Sequence, residues 1–502
     1  MENEKTLTTD FGKPVECDFA SLTAGPYGPT LLEDAYLREK IAHFAQEATL
    51  PRAMHTKGAG AHGVFRVTND VTAYTCADFL SQVGKETPIF TRFSQAVGGR
   101  ESIDTTRNIR GWAIKFYTEE GNYDLLGITV PAFFISDIMK FPDFVHSLQG
   151  LPQNDLKTPN TSWDFFSLNP ETIHAVTLFF TDRATPASYR NINIFGPNTF
   201  LWYNKQGERF LVKYHLMTKQ GIKNMTIEEA TKIGGENPDY LRQDLFDALE
   251  RREYPEWDFC VQIMPEKDAL SYEYDPYDPT QVWLKKDYPL LKVGEIRLTR
   301  NPENYFVEVE QAAFSISNFV PGINASNDKL LQGRLFVYQN AQDHRLGINK
   351  NQIPINRPKY KPFNFERDGI MNVSDNGGSS PNYDPNSYEK VAPYKRCPLP
   401  QQEVAGKTGR YIKTNHEKTF KQAGMLYRRV LSEEDRNHLI HNIVLTMQQV
   451  PCRIQYRQTA LFYLADPDYG TRVAQAIGLD IQKVKQLAAM SQKERIMTTQ
   501  NW

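Results

Sequence analysis

The chain has 502 residues, with 58 Lys and Arg against 60 Asp and Glu and a formal net charge of -2. That balance excludes a general nucleic-acid binder, which needs a basic excess. With 40% hydrophobic and 12% aromatic residues, it is not an acidic disordered chain either.

Residues 1–50 open as a polar arm. Leu31, Leu32, Tyr36, Leu37, Ile41 and Phe44 recur at spacings of three and four, which predicts a helix over 31–49 stopped by Pro51. From Val64 to Val309 many β-branched and aromatic runs are cut by Gly, Pro, Asn and Asp. Several alternate inward and outward, as in an antiparallel sheet. Helical inserts are predicted over 226–233 and 239–251. The order is not a βαβ alternation, so a closed β-barrel with helical insertions is expected over 51–353. Residues 354–419 are rich in Pro, Asn, Gly and Tyr. So long an aperiodic stretch reads as an extended segment wrapped over the core or a partner subunit. Residues 420–502 are predicted helical. Ser432 and Asp435 form an N-cap pair there, and Leu439, Ile440, Ile443, Val444 and Met447 share one apolar face.

No run approaches the roughly 18 apolar residues of a membrane span, and the polar opening lacks the apolar stretch of a signal peptide. The five cysteines, Cys17, Cys76, Cys260, Cys397 and Cys452, are scattered and odd in number. Reduced thiols in an intracellular compartment are the expectation. The final Thr-Gln-Asn-Trp is not a Ser-Lys-Leu address, so a cytoplasmic or peroxisomal location stays open. No C-x-x-C or H-E-x-x-H metal motif occurs. His438 and His441 lack a nearby third ligand and read as surface residues.

Gly58-Ala-Gly60-Ala-His-Gly63 fits the G-x-G-x-x-G pattern of dinucleotide sites. That chemistry needs a strand before the glycines and a helix after them. The order here is helix, then Pro51, then a strand, so a glycine turn passing close to something bulky is the better reading. A nicotinamide dehydrogenase built on these glycines is the weaker alternative.

Asp328 is a good helix cap. In the helix after it Arg334, Tyr338 and Arg345 fall four and seven apart, on one face. A guanidinium one turn from a phenol favours phenolate, a hard ligand for ferric iron. A core tyrosine flanked by two solvated arginines is the plainer alternative. His55 lies beside the glycine segment, and Arg92 and Ser94 share a strand face because the strand period is two. A serine near His55 could orient its imidazole for proton transfer.

These segments resemble the monofunctional haem catalases, whose iron is held by tyrosine. The similarity is carried by His55-Thr-Lys-Gly-Ala-Gly-Ala, Arg92-Phe-Ser94, Arg110-Gly-Trp-Ala-Ile-Lys-Phe-Tyr117 and Ser162-Trp-Asp-Phe-Phe-Ser-Leu-Asn-Pro-Glu171. Arg334-Leu-Phe-Val-Tyr338, Arg367-Asp-Gly-Ile-Met371 and Pro381-Asn-Tyr-Asp-Pro-Asn-Ser387 complete it. The resemblance implies an α+β catalase fold: an N-terminal arm, an eight-stranded antiparallel β-barrel, a wrapping segment and a C-terminal helical domain. It implies haem b, with Tyr338 as iron ligand and Arg334 as its hydrogen-bond partner. His55 becomes the distal acid–base group, supported by Ser94. Arg52, Arg92 and Arg345 fall near the haem propionates, and Phe134 and Phe141 on the distal side. His174, Arg183 and Trp283 match positions that hold NADPH in small-subunit members; Met217 stands where a phosphate-binding lysine is usual, although Lys285 is close in sequence to Trp283. A homotetramer or homodimer is implied as well.

The chain also departs from that pattern. Ile128 replaces the distal asparagine, and Asn108 replaces a channel aspartate. Met54 stands for a valine before the histidine, Gln339 and Asn340 for Pro-Asp after the tyrosine, and Asn198 for the histidine behind the proximal arginine. Isoleucine cannot hydrogen-bond, and these losses make the access route more apolar. The expectation is therefore a catalase scaffold using peroxide or superoxide to oxidise a small organic substrate, as the catalase-like chanoclavine synthases of fungal alkaloid pathways do. The alternatives are dismutation of hydrogen peroxide and a haem-storing relative without turnover.

Overall fold

The computed structural model describes residues 5–402, 406–412 and 416–502. It divides into two compact units, 1–52 and 53–502. In the first, helix α1 spans Ala35–Gln46, shorter than the apolar spacing predicts. The Asp34 side chain accepts the Leu37 N–H at 3.1 Å, so this cap, and not Leu31, sets the start. The helix ends at Gln46, before Pro51 is reached.

The second unit is built on ten strands: β1 (Gly58–Val67), β2 (Glu86–Gln95), β3 (Arg110–Thr118), β4 (Gly121–Ile128), β5 (Ile194–Phe195), β6 (Phe200–Tyr203), β7 (Arg209–Thr218), β8 (Glu256–Pro265), β9 (Leu291–Arg300) and β10 (Ile323–Ala325). Pairing runs β7-β5-β4-β3-β2-β1-β9-β8, and β8 pairs back to β7. The result is a closed eight-stranded antiparallel barrel, which leaves no open edge in the ring. Strands β6 and β10 extend the sheet beside β7.

Inward-facing aromatic residues fill the barrel. Phe93 stacks on Trp112 with ring centroids 4.7 Å apart, and Trp112 meets Trp257 at 4.6 Å. The Trp257 indole donates to the Ile192 carbonyl at 2.9 Å, so its polar atom is not stranded. On the other face Lys115 and Asp124, both buried, pair at 2.8 Å. Asp124 also accepts from the Ser315 N–H at 2.9 Å and the Asn318 amide at 2.8 Å, and these bonds offset the cost of burying the charges.

The segment Gly58–Gly63 is part of β1 and not a turn. The expected close approach is nevertheless there. A Cβ on Gly60 would lie 2.7 Å from Val309, and one on Gly63 would lie 2.3 Å from the Arg297 carbonyl oxygen. The glycines let neighbouring elements close on a strand, which side-chain periodicity cannot reveal.

Helices α2 (Phe141–Ser147), α3 (Pro159–Leu168), α4 (Ile173–Phe180), α5 (Ile227–Glu236) and α6 (Tyr240–Glu250) interrupt the strands, and α7 (Lys329–Leu346) follows β10. The C-terminal part holds α8 (Glu417–Met425), α9 (Glu433–Met447), α10 (Cys452–Ala465), α11 (Pro467–Ile477), α12 (Ile481–Ala489) and α13 (Gln492–Thr499). Ser432 and Asp435 form the anticipated capping box on α9. Trp163 of α3 stacks on Phe180 of α4 at 4.8 Å and meets Phe462 of α10 at 6.3 Å. The C-terminal helices therefore share a core with the helices inserted in the barrel. Residues 354–402 carry no helix or strand.

The expectation that the cysteines are unpaired is corrected. Cys76 and Cys397 form a disulfide across 321 residues of sequence, with Cα atoms 6.4 Å apart. The extended segment brings Cys397 back to the barrel, a proximity that spacing along the chain does not encode. Cys17, Cys260 and Cys452 are free. His438 and His441 each hold a carboxylate, Asp182 at 2.6 Å and Glu228 at 2.8 Å. Among the described residues no helix is long and apolar enough to cross a membrane.

Candidate active site

One row of cross-strand partners organises the histidine side. Gly58 pairs with Ser94, Ser94 with Gly111, and Gly111 with Ile128. Residues directly opposite in a sheet point to the same face. Ser94 Oγ lies 2.9 Å from His55 Nδ1. A Cβ built on Gly111 would come within 2.7 Å of His55 Cε1. The imidazole therefore lies over the row, and Gly111 leaves the room for it. Ile128 is the next position beyond Gly111.

His55 has a positive φ of 62°, uncommon outside glycine. The Arg92 guanidinium donates to the His55 carbonyl at 2.7 Å and to the Thr56 carbonyl at 2.6 Å, pinning that backbone. Arg92 and Ser94 share a strand face as expected, and both engage the His55 segment. Arg52 is the last residue of the first unit.

The tyrosine side is built on one helix. Asp328 accepts the Leu331 N–H at 3.0 Å and starts α7. Arg334 Nη2 then donates to the Tyr338 hydroxyl at 2.9 Å. The other end of the same guanidinium donates to the Asn198 side-chain oxygen. Asn198 Nδ2 passes on to Asp328 Oδ2 at 2.8 Å. Asp328, fully buried, also accepts the Thr199 N–H at 3.1 Å. Burial pushes its pKa up to about 6, against those hydrogen bonds. Gly333 admits Ile138, whose side chain lies 2.2 Å from a built Cβ. The helix bearing Tyr338 thus closes on the turn that leads into Phe141.

Arg345 donates to the Glu310 carbonyl at 2.6 Å and the Ala312 carbonyl at 2.9 Å. Burial brings its pKa down to about 10, with nearby Arg92 acting in the same direction and Glu310 opposing. Two guanidinium groups thus share a largely buried neighbourhood. That excess suits anionic groups such as propionate carboxylates. A phenol held by an arginine on one side and an imidazole held by a serine on another are a donor set that fits an iron porphyrin. Among the described residues no cluster of three or more His, Cys, Asp or Glu could hold a bare metal ion.

Phe141 opens α2 and is half-buried, while Phe134 is buried and stacks on Phe144 at 4.8 Å. His174 is buried with Nδ1 3.3 Å from the Thr280 carbonyl, and burial lowers its pKa to about 4. Trp283 is buried in the same segment and donates to Pro276 at 3.3 Å. The Gln422 amide bonds both peptide groups of Val282, at 2.9 Å each. Arg183 is half-buried near Asp435. Asn108 spends both polar atoms on the Val97 peptide, donating at 2.6 Å and accepting at 3.3 Å.

The sequence reading missed Gly111 and the second role of Asp328. The first is visible only through strand register, while the cap at Asp328 signals a helix start and says nothing of Asn198.

The catalase family profile matches residues 8–390, and a catalase-related immune-responsive profile matches residues 413–477. A catalase of Methanosarcina barkeri is 51% identical over 99% of both chains. The peroxisomal catalase of Toxoplasma gondii is 47% identical over 94% of this chain and 95% of its own. A fungal catalase crystal structure superposes with a TM-score of 0.92 at 41% identity, covering 95% of this chain and 96% of that one. Catalase A from Saccharomyces cerevisiae gives 0.90 at 40% identity, covering 95% and 99%. The fold is that of the catalase structures, and the enzyme class is an oxidoreductase. The chain belongs to the catalase family.

Proposed function

We propose that this protein dismutates hydrogen peroxide, converting two molecules to two of water and one of oxygen. The observation that carries this reading is the Arg334–Tyr338 hydrogen bond, in a chain alike to catalases over its full length. Tyr338 would hold the haem iron, and Arg334 donates a hydrogen bond to the phenol oxygen that would ligate it. Arg92 and Arg345 would meet the propionates. Arg52 carries the same assignment from sequence alone. The haem supplies the two-electron reduction and oxidation of bound peroxide. His55, oriented through Nδ1 by Ser94, moves a proton from one peroxide oxygen to the other. Ser94 and Gly111 fix where that imidazole stands.

The test is a visible spectrum and an oxygen-electrode assay on the same purified sample. A Soret band with steady oxygen release from peroxide alone is expected. A colourless protein, or one that is coloured but evolves no oxygen, would overturn the proposal.

Oxidation of an organic substrate is the second reading, and Ile128 favours it. The full-length likeness to proteins called catalase weighs against making it the primary activity, and nothing points to alkaloid cyclisation. NADPH remains a proposal of its own. His174 is uncharged at neutral pH and Gln422 bonds the Val282 peptide, so charge toward a bound NADPH would come from Arg183 and from Lys213, whose ammonium lies 5.7 Å over the Trp283 ring. Assembly as a homodimer or homotetramer is likewise proposed, and sedimentation tests it.

A further inference from the structure

We propose that Cys76 and Cys397 are a site of reversible oxidation: hydrogen peroxide joins them, thiol reductants part them, and their bond latches the extended segment 357–396 onto the barrel. The inference takes its oxidant from the peroxide reading above.

The segment is held at one end by packing. Ile355 and Asn356 are buried. The Tyr117 hydroxyl donates to the Ile355 carbonyl at 2.6 Å, and the Asn122 amide to the Asn356 carbonyl at 2.8 Å. The Asn356 amide donates to the Gln311 carbonyl at 2.9 Å and the Lys350 carbonyl at 3.1 Å. Beyond that anchor no residue from 357 to 396 is buried, and none lies in a helix or strand. Such a stretch has no core of its own to offset the entropy of being ordered. The next buried residue is Cys397, covalently joined to Cys76.

The turn that carries Cys76, between β1 and β2, is itself fixed. The Cys76 N–H donates to the Tyr203 carbonyl at 3.0 Å, and the Thr75 hydroxyl to the Gly322 carbonyl at 2.9 Å. A Cβ on Gly322 would lie 2.4 Å from the Ala77 nitrogen. Beside the disulfide, the exposed Tyr394 hydroxyl bonds Glu120, whose other oxygen accepts the Asp78 N–H at 2.9 Å. An exposed hydrogen bond is a weak hold for a segment of this length. Parting the sulfurs therefore frees the segment and leaves the turn in place. An exposed free thiol, Cys452, suits a compartment that keeps thiols reduced. Disulfides that form in such a compartment are transient or redox-sensing.

Cys76 is half-buried and Cys397 buried, so peroxide reaches the Cys76 sulfur first. The Cys76 thiolate attacks one peroxide oxygen, the O–O bond breaks, and a sulfenic acid and water form. The Cys397 thiol then displaces the second water as the S–S bond closes. The sum is 2 RSH + H2O2 → RSSR + 2 H2O, with two electrons passing from the sulfurs to peroxide. A dithiol reopens the bond by two exchange steps and leaves as its own disulfide.

The experiment uses the haem-loaded full chain, reduced with dithiothreitol and then freed of it. One portion receives a steady infusion of hydrogen peroxide, another oxygen-saturated buffer alone. Thiols are blocked with N-ethylmaleimide and the peptides weighed by mass spectrometry, while an electrode follows oxygen in the infused portion. The linked Cys76–Cys397 peptide is expected with peroxide and not with oxygen alone. Trypsin should cut after Lys395 and Arg396 about tenfold faster in the reduced parent than in the oxidised one, a modest share of what a loop-closing bond typically contributes. Cys397→Ser should be cut at the fast rate with or without peroxide, and should keep the circular dichroism and oxygen release of the parent.

No linked peptide after peroxide, or as much of it from oxygen alone, overturns the proposal. A linked peptide with an unchanged rate of cutting overturns the latch as well. Should Cys397→Ser fail to fold, the reduced and oxidised parent still decide. No oxygen from hydrogen peroxide would overturn the dismutase reading instead, while the linked peptide and the trypsin rates still report on the latch.

Discussion

The two sides of the site are assembled by different means. The tyrosine side is local: Arg334 and Tyr338 lie one turn apart on α7, and Asp328 starts the same helix. The histidine side is distributed. His55 precedes β1, Ser94 lies on β2, Gly111 on β3 and Ile128 on β4. A change on the helix is felt through a chain of side-chain bonds. A change on the barrel is felt through register and space. The lesson is that equal importance to chemistry does not mean equal tolerance of substitution.

The sharpest way to break the comparison is Tyr338→Phe. Loss of the Soret band is expected while far-ultraviolet circular dichroism is retained, because the barrel core does not depend on that hydroxyl. Retained colour would show that iron is held elsewhere. Gly111→Ala comes next. Its new methyl would lie 2.7 Å from the His55 ring, so the ring must move. A displacement of this size can cost roughly a hundredfold in turnover, with the haem spectrum kept. Unchanged turnover would show that the register row does not position His55.

Asp328→Asn sharpens the helix side through pH. The folded pKa of about 6 exceeds the ordinary 3.8. A raised pKa contributes stability that is full below about 3.8 and lost as pH rises through about 6. The span amounts to about 3 kcal/mol. The asparagine variant should show a flatter dependence of unfolding midpoint on pH between about 4 and 6 than the parent. An identical slope in both would remove Asp328 from the account. The buried histidines His174 and His215 act in the opposite sense. Their pKa values fall to about 4 and about 3. The stability they lend is present above 6.5 and lost as pH falls through those values, so both His→Gln variants should resist acid better than the parent in a denaturant titration.

Ser94→Ala is the smallest expected effect. It removes one hydrogen bond of 2.9 Å to His55, worth about 1 kcal/mol or roughly fivefold in turnover. A loss as large as that of Gly111→Ala would mean that the hydroxyl, and not the space, holds the ring.

The helix side was the more legible in the sequence. The i, i+4 spacing of Arg334 and Tyr338 is a direct consequence of helix pitch, and the Asp328 cap announced the start. The likeness to catalases named His55 and Ser94 as a pair, and Arg92 followed from a strand period of two. Less was visible where two distant segments meet. Gly58–Gly63 reads as a turn by composition, yet it is strand because its neighbours need the space its missing side chains leave. Cys76 and Cys397 looked unrelated until the extended segment crossed the barrel.

By itself the sequence determined the local elements, the balance of apolar and polar surface, the family, and which residue types were available for chemistry. These follow from periodicity and from side-chain identity. Only the tertiary structure decided that Ile128 and Gly111 stand in one row with Ser94, that Asn108 turns its amide onto Val97, and that Asn198 bridges Arg334 to Asp328. Each depends on strand register or on a contact across more than ten residues. Barrel closure sets such relations through the packing of all strands at once, and no short window of sequence contains them.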